Sequence, residues 1–218
     1  MSLAIFDLDN TLLAGDSDYL WGQFLVDTGV VDRDRYEEAN RTFYEAYKAG
    51  TLDIDAFLRF SLRPLSEHEP DVLWRWREQF VREKIEPIIL PQAQQLVESH
   101  RARGHTLLII TATNHFVTEP IAARFGVDEL LATRPAMRDG RYTGDYLGIP
   151  TFQEGKVRAL HAWLAQSGCE AEETWFYSDS RNDIPLLEQV THPVAVDPDE
   201  ILAHHAHRQG WPVISLRD

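Results

Sequence analysis

The sequence predicts an α/β fold of three layers, a parallel sheet between layers of helices, with a helical insertion after the first strand. Three observations carry this. Apolar runs at Ile5-Phe6, Leu107-Leu108-Ile109-Ile110 and Trp175-Phe176-Tyr177 read as buried strands, and each runs straight into polar residues. Helical stretches alternate with the strands, which implies parallel pairing through right-handed crossovers. Between the first two runs, the segment 15–87 is of different character, rich in aromatic and charged residues at helical spacing.

The first strand delivers the densest chemical signal. In Ile5-Phe6-Asp7-Leu8-Asp9-Asn10-Thr11 two carboxylates stand at alternate positions just past an apolar run, where open α/β sheets place their chemistry. One carboxylate can attack an electrophile while the other moves a proton, and a divalent cation beside them would relieve their shared charge. The same letters also occur in plain surface turns, where Asp, Asn and Thr are common.

The insertion follows. Tyr19, Trp21, Phe24 and Leu25, and again Leu73, Trp74, Trp76, Phe80 and Val81, recur at helical spacing. Gly29, Gly50 and Pro64 divide the segment into four helices, with Thr51 as an N-cap ahead of Asp53 and Asp55. Its aromatic residues read mainly as its own core, since large apolar side chains gain most from burial.

The second strand ends in Thr111-Ala112-Thr113-Asn114, and a helix begins near Phe116. Asn114 or Thr113 would cap it, its free N–H groups would seat an anion, and Thr111 could donate to a phosphate oxygen; a simple strand end would show the same hydroxyls. Leu130-Leu131-Ala132-Thr133 reads as a short strand, and Met137 to Gly144 as a hairpin about Asp139-Gly140 flanking the sheet. Lys156 opens an apolar-periodic helix, where a cation opposes the macrodipole and so answers a local anion, unless it is simply solvated. After the third strand, Asp179 and Asp183 offer the hard oxygen ligands that Mg2+ prefers, and Asn182 can orient a substrate oxygen or a ligand. His192 to Pro198 reads as a further core strand and turn.

Taken together these stretches resemble the motif set of the haloacid dehalogenase superfamily in its phosphatase form: DxDxT at Asp7 to Thr11, Thr111, Lys156, and DxxxD at Asp179 and Asp183. The resemblance covers essentially the whole chain. It is nearest subfamily IB, the group that contains phosphoserine phosphatase and a class of histidinol-phosphatases.

The resemblance implies a Rossmann-like core over 1–14 and 88–218 with an inserted helical cap of the C1 type over 15–87, hinged near Ala14-Gly15 and Glu86-Pro87. It implies a small phosphomonoester as partner, an aspartyl phosphate formed on Asp7, and Asp9 as general acid and base. Thr111, Ala112 and Lys156 would hold the phosphoryl group. Mg2+ would be held by Asp7, the backbone carbonyl of Asp9 and Asp179, with Asp183 through water or behind them.

Specificity then falls to the cap. Asp16 sits where phosphoserine phosphatases carry an amine-binding glutamate, though it could equally cap the helix through Trp21. Asn114 and Asn182 complete the substrate set, and Arg59 or Arg63 could receive a carboxylate. Asn10 and Ala112-Thr113 depart from the phosphoserine pattern, which favours L-histidinol phosphate over phosphoserine. A phosphotransferase would use the same phosphoenzyme. A dehalogenase would need neither the second acid nor the metal, and a non-enzymatic binding protein would not need the motif set.

Composition agrees. With 218 residues and 44% hydrophobic content the chain can bury a full core. Lys+Arg total 21 against Asp+Glu 35, and a net charge of −14 disfavours nucleic acid or an anionic membrane as partner. One cysteine, Cys169, excludes an internal disulfide and suits a reducing compartment, as a packed or exposed residue. An acidic segment by residue 7 leaves no room for a signal peptide, no run is long enough to span a membrane, and the expected location is cytoplasmic. His204, His205 and His207 read as a polar helix face rather than a metal site. The oligomeric state is left open.

Overall fold

The computed structural model describes residues 1–168 and 170–217, so Cys169 lies outside the described residues. Six strands, β1 (Ser2–Phe6), β2 (Thr106–Ile110), β3 (Glu129–Leu131), β6 (Glu173–Ser178), β7 (His192–Val196) and β8 (Val213–Ile214), form a sheet of order β3-β2-β1-β6-β7-β8. The remaining two, β4 (Arg134–Arg138) and β5 (Arg141–Leu147), form a separate hairpin. All pairings in the large sheet are parallel, with Ile5 of β1 level with Leu108 on one side and Phe176 on the other.

Alternation along β1 builds the two faces. Ala4 and Phe6 join one apolar cluster with Val97 of α5 (Pro91–Ala102) and Phe116, Val117 and Ile121 of α6 (His115–Phe125). Leu3 and Ile5 join the other, with residues of α7 (Glu154–Ser167), α8 (Ile184–Leu187) and α9 (Glu200–Gln209). The chain leaves β1 toward β2 and β3 and returns on its far side to β6, so the crevice at the carboxyl end of β1 is the topological switch point. Asp7 and Asp9 open into it.

The insertion comprises α1 (Ser17–Asp27), α2 (Arg33–Ala49), α3 (Ile54–Glu67) and α4 (Pro70–Phe80), followed by a π-helical turn over Val81–Ile85 and a 3-10 turn over Glu86–Ile88. Asp16, Asp32 and Asp53 cap the first three by accepting from the N–H groups of Tyr19, Arg35 and Ala56. The cap of α3 is therefore Asp53 and not Thr51, whose hydroxyl reaches back toward the Ala46 carbonyl. Nor does Pro64 break a helix. It lies inside α3 with its ring buried beside Leu62 and Leu65, packing that offsets the hydrogen bond it cannot make, and the break comes at the extended His68.

The insertion is fused to the core. Trp21 of α1 packs on Phe24, Phe80 and, at 5.8 Å between ring centroids, Phe116 of α6. The expected hinges are tied to each other: Ala14 N–H donates to the Ile88 carbonyl at 2.8 Å and Leu90 N–H to the Leu12 carbonyl at 3.2 Å. The hairpin does not flank the sheet as expected. It turns at Asp139 and Gly140, both at positive φ (50° and 78°), and packs on α3, with Arg141 paired to Glu69 and the Tyr146 hydroxyl bonded to Asp55. None of the described helices is long and apolar enough to cross a membrane.

Against the insertion's side of the sheet, His100 is buried with Nε2 2.8 Å from the Tyr177 hydroxyl and Nδ1 2.8 Å from Nδ1 of His105. Burial, then the charges of His105 and Arg103, push its pKa down from 6.5 to about 4. A histidine whose folded pKa lies below its unfolded one binds fewer protons when folded, so its share of stability is full above 6.5 and is lost as pH falls toward 4. Urea unfolding of His100→Asn beside the wild type checks this. The wild type's advantage shrinks over that pH window, whereas a constant difference contradicts the buried neutral histidine.

Candidate active site

The loop after β1 coils back on itself. Asn10 adopts a left-handed conformation (φ 59°), and Leu12 N–H donates to the Leu8 carbonyl at 2.9 Å, which returns Thr11 to the strand end. The Thr11 hydroxyl then lies 3.2 Å from Asp7 Oδ2 and 3.1 Å from Asp179 Oδ1, and accepts from the Asp179 N–H at 3.1 Å. One hydroxyl thus joins the ends of β1 and β6.

Asp7 and Asp183 share a cation. Lys156 reaches from the first turn of α7 to place Nζ 2.7 Å from Asp7 Oδ1 and 2.7 Å from Asp183 Oδ2, with all three side chains at most 5% exposed. Its helix starts where it does because Gly155 packs against the Pro150 carbonyl; a Cβ there would stand 1.8 Å from that oxygen. Ser178 also donates to Asp183 Oδ2 at 2.7 Å. Burial alone would lower the lysine's pKa, but the charges of Asp183 and Asp7 outweigh it and hold the group above its ordinary value.

Asp9 is held from both sides. The Ser17 N–H of α1 donates to Oδ1 at 2.6 Å, while the hydroxyls of Thr113 (2.7 Å) and Thr111 (3.3 Å) reach Oδ2. This second acid therefore takes its orientation jointly from the insertion and from the loop after β2. Asn114 caps α6, accepting from Val117 N–H, and its side-chain amide bonds Asp18.

Electrostatics set the carboxylates apart. Burial raises Asp7 from 3.8 to about 7, opposed by Lys156 and reinforced by Asp183 and Asp9. Asp179 lies well above the usual carboxylate range through burial and the charges of Asp7 and Asp183. Asp16 does so through burial, Asp9 and Asp18, and Asp18 rises to about 7 through burial and Asp9.

Asp7, Asp9, Asp16, Asp18, Thr111, Ala112 and Thr113 form the floor and one wall of a pocket roofed by Asn40, Phe43, Tyr44, Tyr47 and Phe57 of α2 and α3. Most residues singled out from the sequence converge on it or stand directly behind it. Asp16 serves as the cap of α1 through the Tyr19 N–H rather than through Trp21. Asn182 has both amide atoms engaged, Nδ2 donating to the Tyr47 carbonyl at 3.1 Å and Oδ1 accepting from Gln153 at 3.0 Å.

Arg59 and Arg63 are misplaced by the sequence reading. Both project to solvent from α3, whose buried stripe is Leu58, Ser61, Leu62 and Leu65, and Arg63 pairs with Glu67 at 3.0 Å. His205 of α9 lies 3.2 Å from Glu188 at the end of α8, and His204 and His207 are exposed. Sequence reasoning missed Asp18, Asn40, Tyr44 and Tyr47 as pocket residues. The spacing of Asp16 and Asp18 about a helix start was the available signal, and first-turn acids are too common to single out.

Residues 4–188 match the family of haloacid dehalogenase-like hydrolases. A histidinol-phosphatase of Neisseria meningitidis serogroup C is 44% identical over 220 residues, covering 99% of each chain. A phosphoserine phosphatase of Mycobacterium tuberculosis is 30% identical over 98% of this chain and 70% of its own. A crystal structure of a Bordetella pertussis protein described as of unknown function superposes with TM-score 0.93 at 46% identity, over 99% and 98% of the two chains. A substrate-bound phosphoserine phosphatase superposes with TM-score 0.71 at 18% identity over 99% and 93%, which speaks for the fold alone.

Lys156→Met leaves Asp7 and Asp183 buried with no cation between them. Chelator-treated protein should lose about 3–5 kcal/mol of unfolding free energy, with part regained when Asp183→Asn is added. Urea titration measures both, and a Lys156→Met variant as stable as the wild type contradicts this account of the charge cluster.

Proposed function

The chain belongs to the haloacid dehalogenase-like hydrolase family, and on that footing we propose that it is a Mg2+-dependent phosphomonoesterase whose substrate is L-histidinol phosphate. That it is a phosphoric monoester hydrolase follows from its full-length likeness to phosphatases. The observation that carries the finer reading is the pocket lining: Asp16 and Asp18 join the Asp7–Asp9 pair, and none of the lining residues is Lys, Arg or His. Such walls suit a leaving group that carries an amine and an imidazole beside aromatic rings. They repel the carboxylate of phosphoserine, for which Arg59 and Arg63 stand too far out on solvent. The name of the Neisseria relative supports the same substrate.

In this reading Asp7 attacks phosphorus, the bond from phosphorus to the ester oxygen breaks, and Asp9 gives its proton to the departing alkoxide. Asp9 then takes a proton from water as that water attacks the phosphorus of the aspartyl phosphate, releasing phosphate and restoring Asp7. Thr111 and Lys156, with backbone N–H groups of the loop after β2, steady the phosphoryl oxygens, and Ala112 gives them room beside it. The roof formed by α2 and α3 excludes bulk water from the phosphoenzyme.

The donors fit Mg2+. Asp7 and Asp179 lie within reach of the same Thr11 hydroxyl, and burial with the repulsion of neighbouring carboxylates raises both pKa values, a cost that a divalent cation would relieve. Among the described residues no three His, Cys, Asp or Glu side chains gather as ligands. As the family resemblance implies, Asp7, Asp179 and the Asp9 carbonyl would hold the ion, completed by water, with Asp183 behind on Lys156 and Ser178. When bound, the ion neutralises charge on the transferring phosphoryl group.

Phosphate release tests the proposal. Activity should require Mg2+, vanish with chelator, and favour histidinol phosphate over phosphoserine by at least about 100-fold in kcat/KM. A preference for phosphoserine, or activity indifferent to chelator, would sink it. Asp7→Asn should lose more than about 10⁴-fold in kcat while still binding phosphate analogues; near-normal turnover would rule Asp7 out as the nucleophile.

A further inference from the structure

Asp16 and Asp18 bracket one helix start, yet only Asp16 is consumed by it. Asp16 Oδ1 accepts the Tyr19 N–H at 2.8 Å, and the backbone N–H of Asp18 bonds the same carboxylate. That is the hydrogen bonding of an N-cap, and it accounts for the residue. Asp18 is different. Its carboxylate takes the side-chain amide of Asn114, but Oδ1 is closed off from solvent and has no hydrogen-bond partner among the described residues.

A carboxylate oxygen left so carries a desolvation penalty that a structural role does not explain. No lysine, arginine or histidine lines the pocket to relieve it. Asp18 lines the same pocket as Asp9 and feels its charge, so a group bonded to the Asp18 carboxylate shares that pocket with the ester oxygen that Asp9 would protonate. Tyr44 and Tyr47, from the roof, are left for the remainder of the leaving group.

We propose that Asp18 is the specificity-determining residue of this site: its Oδ1 receives the ammonium N–H of a leaving group whose amine sits on the carbon next to the phosphorylated one. Asp16 then shapes α1 and does not bind substrate. The proposal rests on the phosphomonoesterase reading above and deepens it. It moves the amine-binding role from the residue that the sequence pattern favours to one two positions on.

The experiment compares wild type, Asp18→Asn and Asp16→Asn on three esters: histidinol phosphate, its analogue lacking the amine, and its analogue with phenyl in place of imidazole. Asp18→Asn should lower kcat/KM for both amine-bearing esters by about 10- to 100-fold, the range for a charge-assisted hydrogen bond, and leave the amine-free ester nearly unchanged. Its Tm without substrate should rise, because an unpaired buried carboxylate becomes a neutral amide. Asp16→Asn should lower Tm and affect all three esters alike.

Equal loss on all three esters by Asp18→Asn overturns the inference, as does no loss, or a loss confined to the esters that carry imidazole. If Asp18→Asn fails to fold, Asp18→Ser is measured with the same expectations. Wild-type failure to hydrolyse any of the esters sinks the histidinol phosphate reading and this inference with it, whereas wild-type turnover with equal losses in Asp18→Asn overturns the inference alone.

Discussion

The buried ammonium of Lys156 is what allows this site to exist. Asp7, Asp9, Asp179 and Asp183 crowd the carboxyl edge of β1 and β6, with Asp7, Asp9 and Asp183 buried and Asp179 half-buried. Taking such charges out of water costs several kcal/mol apiece unless they are paired. Lys156, 2.7 Å from both Asp7 and Asp183, supplies the pairing and fixes the two carboxylates relative to each other. What it leaves unbalanced, around Asp7 and Asp179, is the charge that a divalent cation would meet.

A second constraint comes from the insertion. Asp9 takes one hydrogen bond from the core threonine Thr113 and one from the Ser17 N–H at the start of α1, so its orientation depends on where that helix sits. The aromatic contact of Trp21 with Phe116 and the paired connections at Leu13 and Ile89 hold α1 against the core. Chemistry and specificity would thereby be coupled: the element that carries Asp16 and Asp18 into the pocket also positions Asp9, the proposed general acid.

Much of this was legible from residues alone because strand ends announce themselves. Apolar runs flowing into Asp7-Leu8-Asp9, Thr111 and Asp179 fixed the sheet edge, and a lysine set against a helix dipole at Lys156 pointed to an anion that proved to be two. The insertion was harder. Its four helices were readable from periodicity, but which way α2 and α3 rotate about their axes is decided by packing. Tyr44 and Tyr47 thus turned into the pocket, while Arg59 and Arg63, on the face opposite Leu58, Leu62 and Leu65, turned out of it. Asp18 was invisible for a different reason: an acid in a helix's first turn is ordinary until its oxygen is found buried and unpaired.

If Asp7, made tolerable by Lys156, is the proposed nucleophile, it becomes covalently phosphorylated during turnover. Acid quenching of the enzyme during turnover of histidinol phosphate with Mg2+, followed by mass spectrometry of its peptides, addresses that directly. One phosphoryl group on the peptide containing Asp7, absent when Mg2+ is withheld, is the expected result. Turnover with the phosphoryl group on another residue would rule Asp7 out as the nucleophile.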